Sequence, residues 1–268
     1  MEIKGVKALV TGASSGIGKA IAIELVNNGA QVWGTSREPG RIEWHTGVKP
    51  LKLSLDRPDY VDEAWESQSM DLIGFDIIVN NAGYGTFGRY EEVAFEVWEK
   101  QVQALLTGTM KLCRLALPGL IERKGCLVNV SSIAADFPVP FMSAYNVSKA
   151  GLSAFTESVI IETNSSGMRT IDFRPGDIKT GFNRNMVRNL GKNVNEGCMG
   201  KVWNRLEART KQSPEPMMVA KKLIKCIQRD KSGTIRAGTF FQATLVPLLS
   251  RLVTRSLVRC GNIAYYTK

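Results

Sequence analysis

Short apolar runs alternate with longer stretches of helical period along most of the chain. Runs at 8–11, 31–35, 49–55, 77–80, 125–131, 170–175 and 234–236 have strand length and read as strands. Between them, apolar residues recur at helical spacing over 16–27, 59–68, 95–123, 143–163 and 219–229. Strand and helix in turn predict a parallel sheet with crossover helices, a doubly wound α/β fold of Rossmann type. No linker divides the pattern, so residues 1–268 read as one domain. The rhythm breaks over 181–216, a polar stretch containing Gly181, Gly191, Gly197 and Pro214. It resumes at 247–259, where Leu248, Leu252, Val253 and Leu257 fall at helical spacing and Arg251, Arg255 and Arg259 recur every four residues. Such a basic amphipathic helix can lie on an anionic membrane, or dock its apolar face on the fold or a second subunit; docking is the favoured expectation.

Length and composition narrow the reading further. A chain of 268 residues can build a sizeable α/β core. The N-terminus has no basic–apolar–small leader pattern, and no charge-free apolar stretch reaches eighteen residues, so neither a signal peptide nor a membrane span is expected. The five cysteines are widely spaced without a C-x-x-C pair, which suits reduced thiols in a cytoplasmic protein rather than a disulfide framework or zinc site. His45 is the single histidine, in a loop-like context, so multi-histidine metal sites are excluded and no metal is expected. The net charge of +10 could suit an acidic cofactor or an anionic surface; nucleic acid is disfavoured, because the basic residues are scattered and no binding module is present.

Candidate chemistry begins at Tyr145-Asn-Val-Ser-Lys149, which places a phenol and an ammonium on one face of a helix. A free tyrosine, with a pKa near ~10, is a poor base at neutral pH. A neighbouring cation is expected to draw the phenol downward, toward the range where it exchanges a proton with a carbonyl or alcohol oxygen. Ser132 lies thirteen residues upstream. At the N-terminus, strand 8–11 runs into Thr11-Gly12-Ala13-Ser14-Ser15-Gly16-Ile17-Gly18 and then a helix. Strand, glycines and helix make a dinucleotide turn: glycines permit close backbone approach, and the helix N-terminus offers N–H groups to a pyrophosphate.

Together, Thr11-Gly12-x-x-x-Gly16-Ile17-Gly18, Asn80-Asn81-Ala82-Gly83, Ser132, Tyr145-x-x-x-Lys149 and Pro175-Gly176-x-x-x-Thr180 resemble the classical short-chain dehydrogenase/reductase family, strongly over about 3–180. The pattern through Gly108-Thr109 and Leu117-Pro118 looks most like its hydroxysteroid and retinol dehydrogenase branch. The resemblance implies a carbonyl/alcohol oxidoreductase with Tyr145 as general acid or base, Lys149 holding the ribose and favouring the phenolate, and Ser132, not its neighbour Ser131, bonding the substrate oxygen. It implies nucleotide contacts at Gly12, Ser14, Ser15, Gly16, Ile17, Gly18, Ser36, Arg37, Leu55, Asp56, Asn81, Ala82, Gly83, Tyr145, Lys149, Pro175, Gly176, Ile178 and Thr180. Asp56 would meet the adenine. The second strand ends in Ser36-Arg37 where NAD enzymes usually carry an acid, and Arg can grip a 2′-phosphate, so NADP(H) is expected over NAD(H), with Lys19 as a possible assistant. It also implies a homodimer or homotetramer through the helices at 95–123 and 143–163, and a substrate lid at 181–216. A lipophilic substrate is the expectation from Tyr84, Phe87, 136–142, Phe182 and Met186.

One position departs from the family. Its usual Asn, three residues before Gly108, is Leu105. Leu105 keeps a backbone carbonyl for the family's proton-relay water and loses the side-chain bonds that shape the helix. Catalysis is still expected, since Ser132, Tyr145 and Lys149 are present. The rival reading is an NADP(H)-binding redox sensor or membrane-associated regulator with little turnover.

Overall fold

The computed structural model describes residues 1–188, 197–250 and 252–267. In chain order its strands are β1 (Lys7–Val10), β2 (Gln31–Ser36), β3 (Val48–Lys52), β4 (Ile77–Asn80), β5 (Thr86–Phe87), β6 (Cys126–Val130), β7 (Arg169–Pro175), β8 (Val187–Arg188) and β9 (Gly233–Ala237). Seven of them form one parallel sheet in the order β3-β2-β1-β4-β6-β7-β9. The order reverses between β1 and β4, the switch point at which the loops leaving two neighbouring strands part to opposite sides and open a crevice. The short strands β5 and β8 pair with each other outside this sheet.

The helices are α1 (Gly16–Asn27), α2 (Pro58–Ser67), α3 (Met70–Ile73), α4 (Phe95–Val102), α5 (Gly108–Glu122), α6 (Ser143–Glu162), α7 (Gly197–Gln212), α8 (Pro216–Gln228), α9 (Val246–Leu249) and α10 (Arg255–Thr267). Side-chain alternation feeds two cores. Ala8, Val10, Val79 and Val128 pack against α1 and α8, while Leu9, Ile78 and Leu127 pack against Leu112 and Val159 on α5 and α6. Central strands buried on both faces need apolar residues throughout, which is why Ala8-Leu9-Val10 and Ile77-Ile78-Val79 carry no polar position.

The structure corrects the sequence expectations in four places. The strand expected to Leu55 ends at Lys52; the Leu53 N–H still donates to the Ser36 carbonyl of β2 at 3.1 Å, and Leu55 is buried beside Val61 and Trp65 outside the strand, so its burial alone extended the apolar signal. The helix expected over 95–123 is present but is widened by a π turn at Gln103–Thr107, which holds Leu105. The polar stretch at 181–216 contains the helix α7, whose Met199, Val202, Trp203 and Leu206 are buried; residues 189–196 of that stretch lie outside the described residues. The helix expected over 247–259 is divided: α9 ends at Leu249 and α10 begins at Arg255, with the Thr254 hydroxyl accepting from the Leu257 N–H at the new start. Arg251 lies outside the described residues.

Among the described residues, Phe95–Glu122 is the one helical stretch long and apolar enough to cross a membrane by length and composition. It is not free of charge, since it carries Lys100, Lys111 and Arg114. Its Leu112, Cys113, Ala116 and Leu120 are packed into the core beneath the sheet.

Candidate active site

The glycine turn leaves β1 at the switch point and meets the loop leaving β4. A Cβ on Gly12 would lie 2.8 Å from the Ala82 Cα, and Gly12 itself has φ +64°. A Cβ on Gly18 would lie 2.3 Å from Asn81 Nδ2 and 2.4 Å from the Gly12 carbonyl oxygen. Only glycine fits this crossing of two backbones. Asn81 closes it by donating Nδ2 to the Thr11 carbonyl at 3.0 Å, and Thr11 Oγ1 accepts from the Asn81 and Ala82 N–H groups at 2.9 and 3.0 Å. No side chain caps the N-terminus of α1, so its first N–H groups remain available to an anion. Gly18→Ala is expected to destabilise the protein by about 1–3 kcal/mol through overpacking. Thermal unfolding checks this, and an unchanged melting temperature would mean that the turn relaxes freely.

Every sequence-selected residue stands at the carboxyl edge of the sheet. Ser36 and Arg37 end β2, Leu55 and Asp56 follow β3, Asn81 to Gly83 follow β4, Ser132 follows β6, and Pro175 to Thr180 close β7. Thr180 reaches back to the glycine turn, its Cγ2 lying 3.4 Å from a Cβ built on Gly16. Leu55 and Ile178 turn their side chains into the two cores, and the Leu55 carbonyl packs against Gly108 at the start of α5. Arg37 is exposed and, among the described residues, makes no ion pair; the adjacent Glu38 is bound to Arg41 at 2.8 Å. Asp56 accepts a hydrogen bond from Ser54. Tyr84 lies within electrostatic reach of Asp56 and Arg37 and stands apart from the apolar cluster that holds Phe87, Phe182 and Met186, so it does not join them in one wall as expected.

Ser132, Tyr145 and Lys149 converge beside that crevice. Ser132 caps a short 3₁₀ turn, its Oγ accepting from the Ala134 N–H at 3.1 Å. Ser131 points the other way and donates to Asp172, so the two neighbouring serines have separate tasks. Tyr145 sits in the first turn of α6, its ring 5.6 Å from that of Phe182. Asn146 fixes the preceding loop by exchanging two hydrogen bonds with the Val139 backbone, at 3.0 and 2.8 Å. Lys149, one turn on, is buried, donates to the Val130 carbonyl at 2.7 Å, and lies 5.8 Å from the Tyr145 ring centroid. One of its three donors is thus used by the protein.

The electrostatics differ from the simple expectation at Tyr145. Burial raises the phenol above its usual value, the Ser132 hydroxyl acts in the lowering direction, and Asp177 raises it. The upward direction is opposite to the one expected from the Tyr-x-x-x-Lys spacing, because removing a phenolate from water is the largest influence. Lys149 is itself drawn down to about 8 by burial, with Asp172 opposing that fall.

Asp172 gives no motif signal, but it is an acid between Ile171 and Phe173 in the middle of β7, which is a visible oddity in the sequence. Fully buried on β7, its carboxylate accepts from Ser131, from Ser153 at 2.6 Å and from Arg174 at 2.7 Å. Ser153 is one helical turn beyond Lys149, so Asp172 ties α6 to the strand end that carries Ser132. Arg174 continues to Asp136 at 2.6 Å, which also binds Arg236 at 2.9 Å. No sequence signal pointed to Tyr266, which is buried in the same apolar cluster as Phe87, Met142 and Trp203, with Tyr145 and Phe182 packed against it.

A sequence model of the short chain dehydrogenases matches residues 6–191. This chain belongs to the short-chain dehydrogenase family. The 3-ketodihydrosphingosine reductase of Bacteroides thetaiotaomicron is 32% identical over 188 residues, covering 69% of this chain and 69% of the relative. Among solved structures, a short-chain dehydrogenase from Streptomyces avermitilis superposes with a TM-score of 0.78 at 23% identity, covering 97% of this chain and 99% of the other. L-sorbose reductase from Gluconobacter frateurii, solved with NADPH and L-sorbose, superposes with a TM-score of 0.70 at 24% identity, covering 88% and 97%. Family members are oxidoreductases acting between CH–OH and C=O with a nicotinamide dinucleotide, and this chain is an enzyme of that kind.

Proposed function

We propose that this enzyme interconverts a carbonyl and an alcohol with NADP(H) in preference to NAD(H), using Tyr145 as its general acid and base. The observation that carries the reading is the convergence of Ser132, Tyr145 and Lys149 beside a glycine turn at the switch point of the sheet. The residues present fit the nucleotide: Gly12 and Gly18 leave no room for side chains, the α1 terminus is uncapped, and Arg37 is free to meet a 2′-phosphate. Gly12, Ser14 to Gly18, Ser36, Arg37, Asp56, Asn81 to Gly83 and Thr180 would hold it. The nucleotide supplies or accepts the hydride when bound.

The chain's own task is the proton and the charge. In reduction, the substrate carbonyl oxygen gains negative charge, and Ser132 donates a hydrogen bond to it. Tyr145, protonated because burial disfavours the phenolate, delivers a proton to that oxygen. Lys149 supplies a nearby positive charge as the phenolate forms, and its remaining N–H donors serve the ribose hydroxyls. The π turn keeps the helix distorted at Leu105 although the family's Asn is missing, which supports retained turnover over the sensor reading. Tyr145 packs against the apolar cluster of Phe87, Met142, Met186 and Trp203, with its ring against Phe182, which favours a lipophilic substrate. Exposed Val147 and Ile161 on α6, with Ile121 on α5, suit assembly into a homodimer or homotetramer through those helices. A cytoplasmic location fits the three buried thiols.

The test is kcat/KM with NADPH across lipophilic ketones and aldehydes and across open-chain sugars. The reading expects the lipophilic set to be preferred; preference for sugars would overturn the substrate class.

A pH prediction follows from Lys149. Its ammonium is present below about 8 and lost as pH rises through that value, so reduction should be steady at neutral pH and decline on the alkaline side. Asp172→Asn removes the group that opposes the fall, and should move the decline to lower pH. A pH–rate profile identical to wild type would assign Asp172 a purely structural role.

A further inference from the structure

The C-terminal arm is held to the fold by residues other than its leucines. Gln242 accepts from the Asp177 N–H at 3.1 Å and donates to the Asp177 carboxylate at 2.7 Å. Asn262 donates to the Pro138 carbonyl at 2.7 Å, Tyr265 stacks on Phe241 and under the Arg209 guanidinium, and Tyr266 is buried in the cluster that contacts Tyr145. Of the two docking sites expected for the leucine face, the fold itself is therefore not used, which leaves a second subunit or a lipid surface. Leu248 is 57% exposed, Leu252 78% and Leu257 60%, with Val253 exposed between them. These residues crowd the end of α9, the turn and the start of α10.

Charge singles out what could cover them. After Asp230 the chain has no Asp or Glu, whereas Lys231, Arg236, Arg251, Arg255, Arg259 and Lys268 are cationic. Among the described residues, Arg255 and Arg259 are exposed beside the apolar positions and form no ion pair. A second copy is a poor occupant, since a two-fold contact sets the same patch against itself and would bring these arginines face to face. A surface that is apolar within and negative at its boundary satisfies both features at once.

We propose that this arm docks on an anionic lipid bilayer, with Leu252, Val253 and Leu257 entering the acyl boundary and Arg255 and Arg259 lying among the headgroups. The arm also carries Tyr266 into the Tyr145 cluster, so docking holds the active-site mouth at the lipid surface. That last consequence rests on the proposed function; lipid binding itself does not.

Sedimentation of the full chain with vesicles tests it. The protein should bind vesicles of phosphatidylcholine mixed with phosphatidylglycerol, fail to bind phosphatidylcholine alone, and be released by high salt. Arg255→Glu with Arg259→Glu should weaken binding more than about tenfold, since each basic residue contributes about fivefold. Leu252→Ser with Leu257→Ser should weaken it comparably, with NADPH affinity unchanged in both variants as evidence of folding. Absence of binding to the anionic vesicles overturns the proposal, as does binding that survives both variants. Lipid-free dimerisation that the leucine variant abolishes would identify a second copy as the occupant and overturn it too. If NADPH binding is absent while vesicle binding behaves as expected, the proposed function fails and the docking surface stands.

Discussion

Tyr145→Phe should lower turnover of a carbonyl substrate by about a thousandfold, the scale of a lost general acid, while NADPH binding stays close to wild type. The substitution removes one oxygen and leaves the ring. The contact with Phe182 at 5.6 Å and the cluster around Tyr266 persist, so the fold around the crevice has no reason to move. What disappears is the proton. Burial keeps the phenol protonated at neutral pH, and Ser132 can orient a carbonyl oxygen but is too weak an acid to replace it. Steady-state kinetics beside a nucleotide titration separate the outcomes. Full turnover in the variant would move proton transfer to another group, and lost NADPH binding would make Tyr145 a structural residue.

Arg37→Asp should weaken NADPH by about a hundredfold, in line with a charge-assisted hydrogen bond to the 2′-phosphate, and leave NADH nearly unchanged or improved. The guanidinium is exposed at the end of β2 and has no competing carboxylate, because Glu38 is taken by Arg41. Its replacement by an acid sets a negative charge where the 2′-phosphate would lie and offers an acceptor to a 2′-hydroxyl instead. Fluorescence titration with both nucleotides measures the ratio. An equal loss for NADPH and NADH would remove Arg37 from the 2′-phosphate site.

The parts of the fold that were legible are those in which local pattern and tertiary burial agree. Ile77–Asn80 and Gly16–Asn27 have the same bounds in sequence and structure, since an apolar run bounded by turn residues, or a glycine turn followed by helical spacing, leaves few alternatives. Leu55 misled because an apolar residue reports burial and not hydrogen bonding, whereas Leu53 still bonds to Ser36 at the end of β2. The helix α7 was hidden by its charged outer face, although Val202, Trp203 and Leu206 keep helical spacing. At the C-terminus, the repeat of arginines continued across a turn that the chain in fact makes near Thr254.

The candidate site was legible for the same reason: Gly12 after β1, Ser132 after β6, and Tyr145 with Lys149 on α6 belong to elements whose order along the sheet brings them together. What lay outside reach was long-range. Asp172 bonds to residues 41 and 19 positions away, and Tyr266 reaches the Tyr145 cluster from the opposite end of the chain. The direction of the Tyr145 shift also depended on burial, which a Tyr-x-x-x-Lys spacing does not contain.

The most direct measurement of the central claim is NADPH and NADH affinity of the purified protein by fluorescence titration, followed in the same sample by carbonyl-dependent oxidation of the reduced nucleotide. The account predicts tighter binding of NADPH than NADH and oxidation that requires a carbonyl compound. Tight binding with no oxidation across a broad panel would favour a nucleotide-binding sensor, and failure to bind either nucleotide would contradict the account at its base.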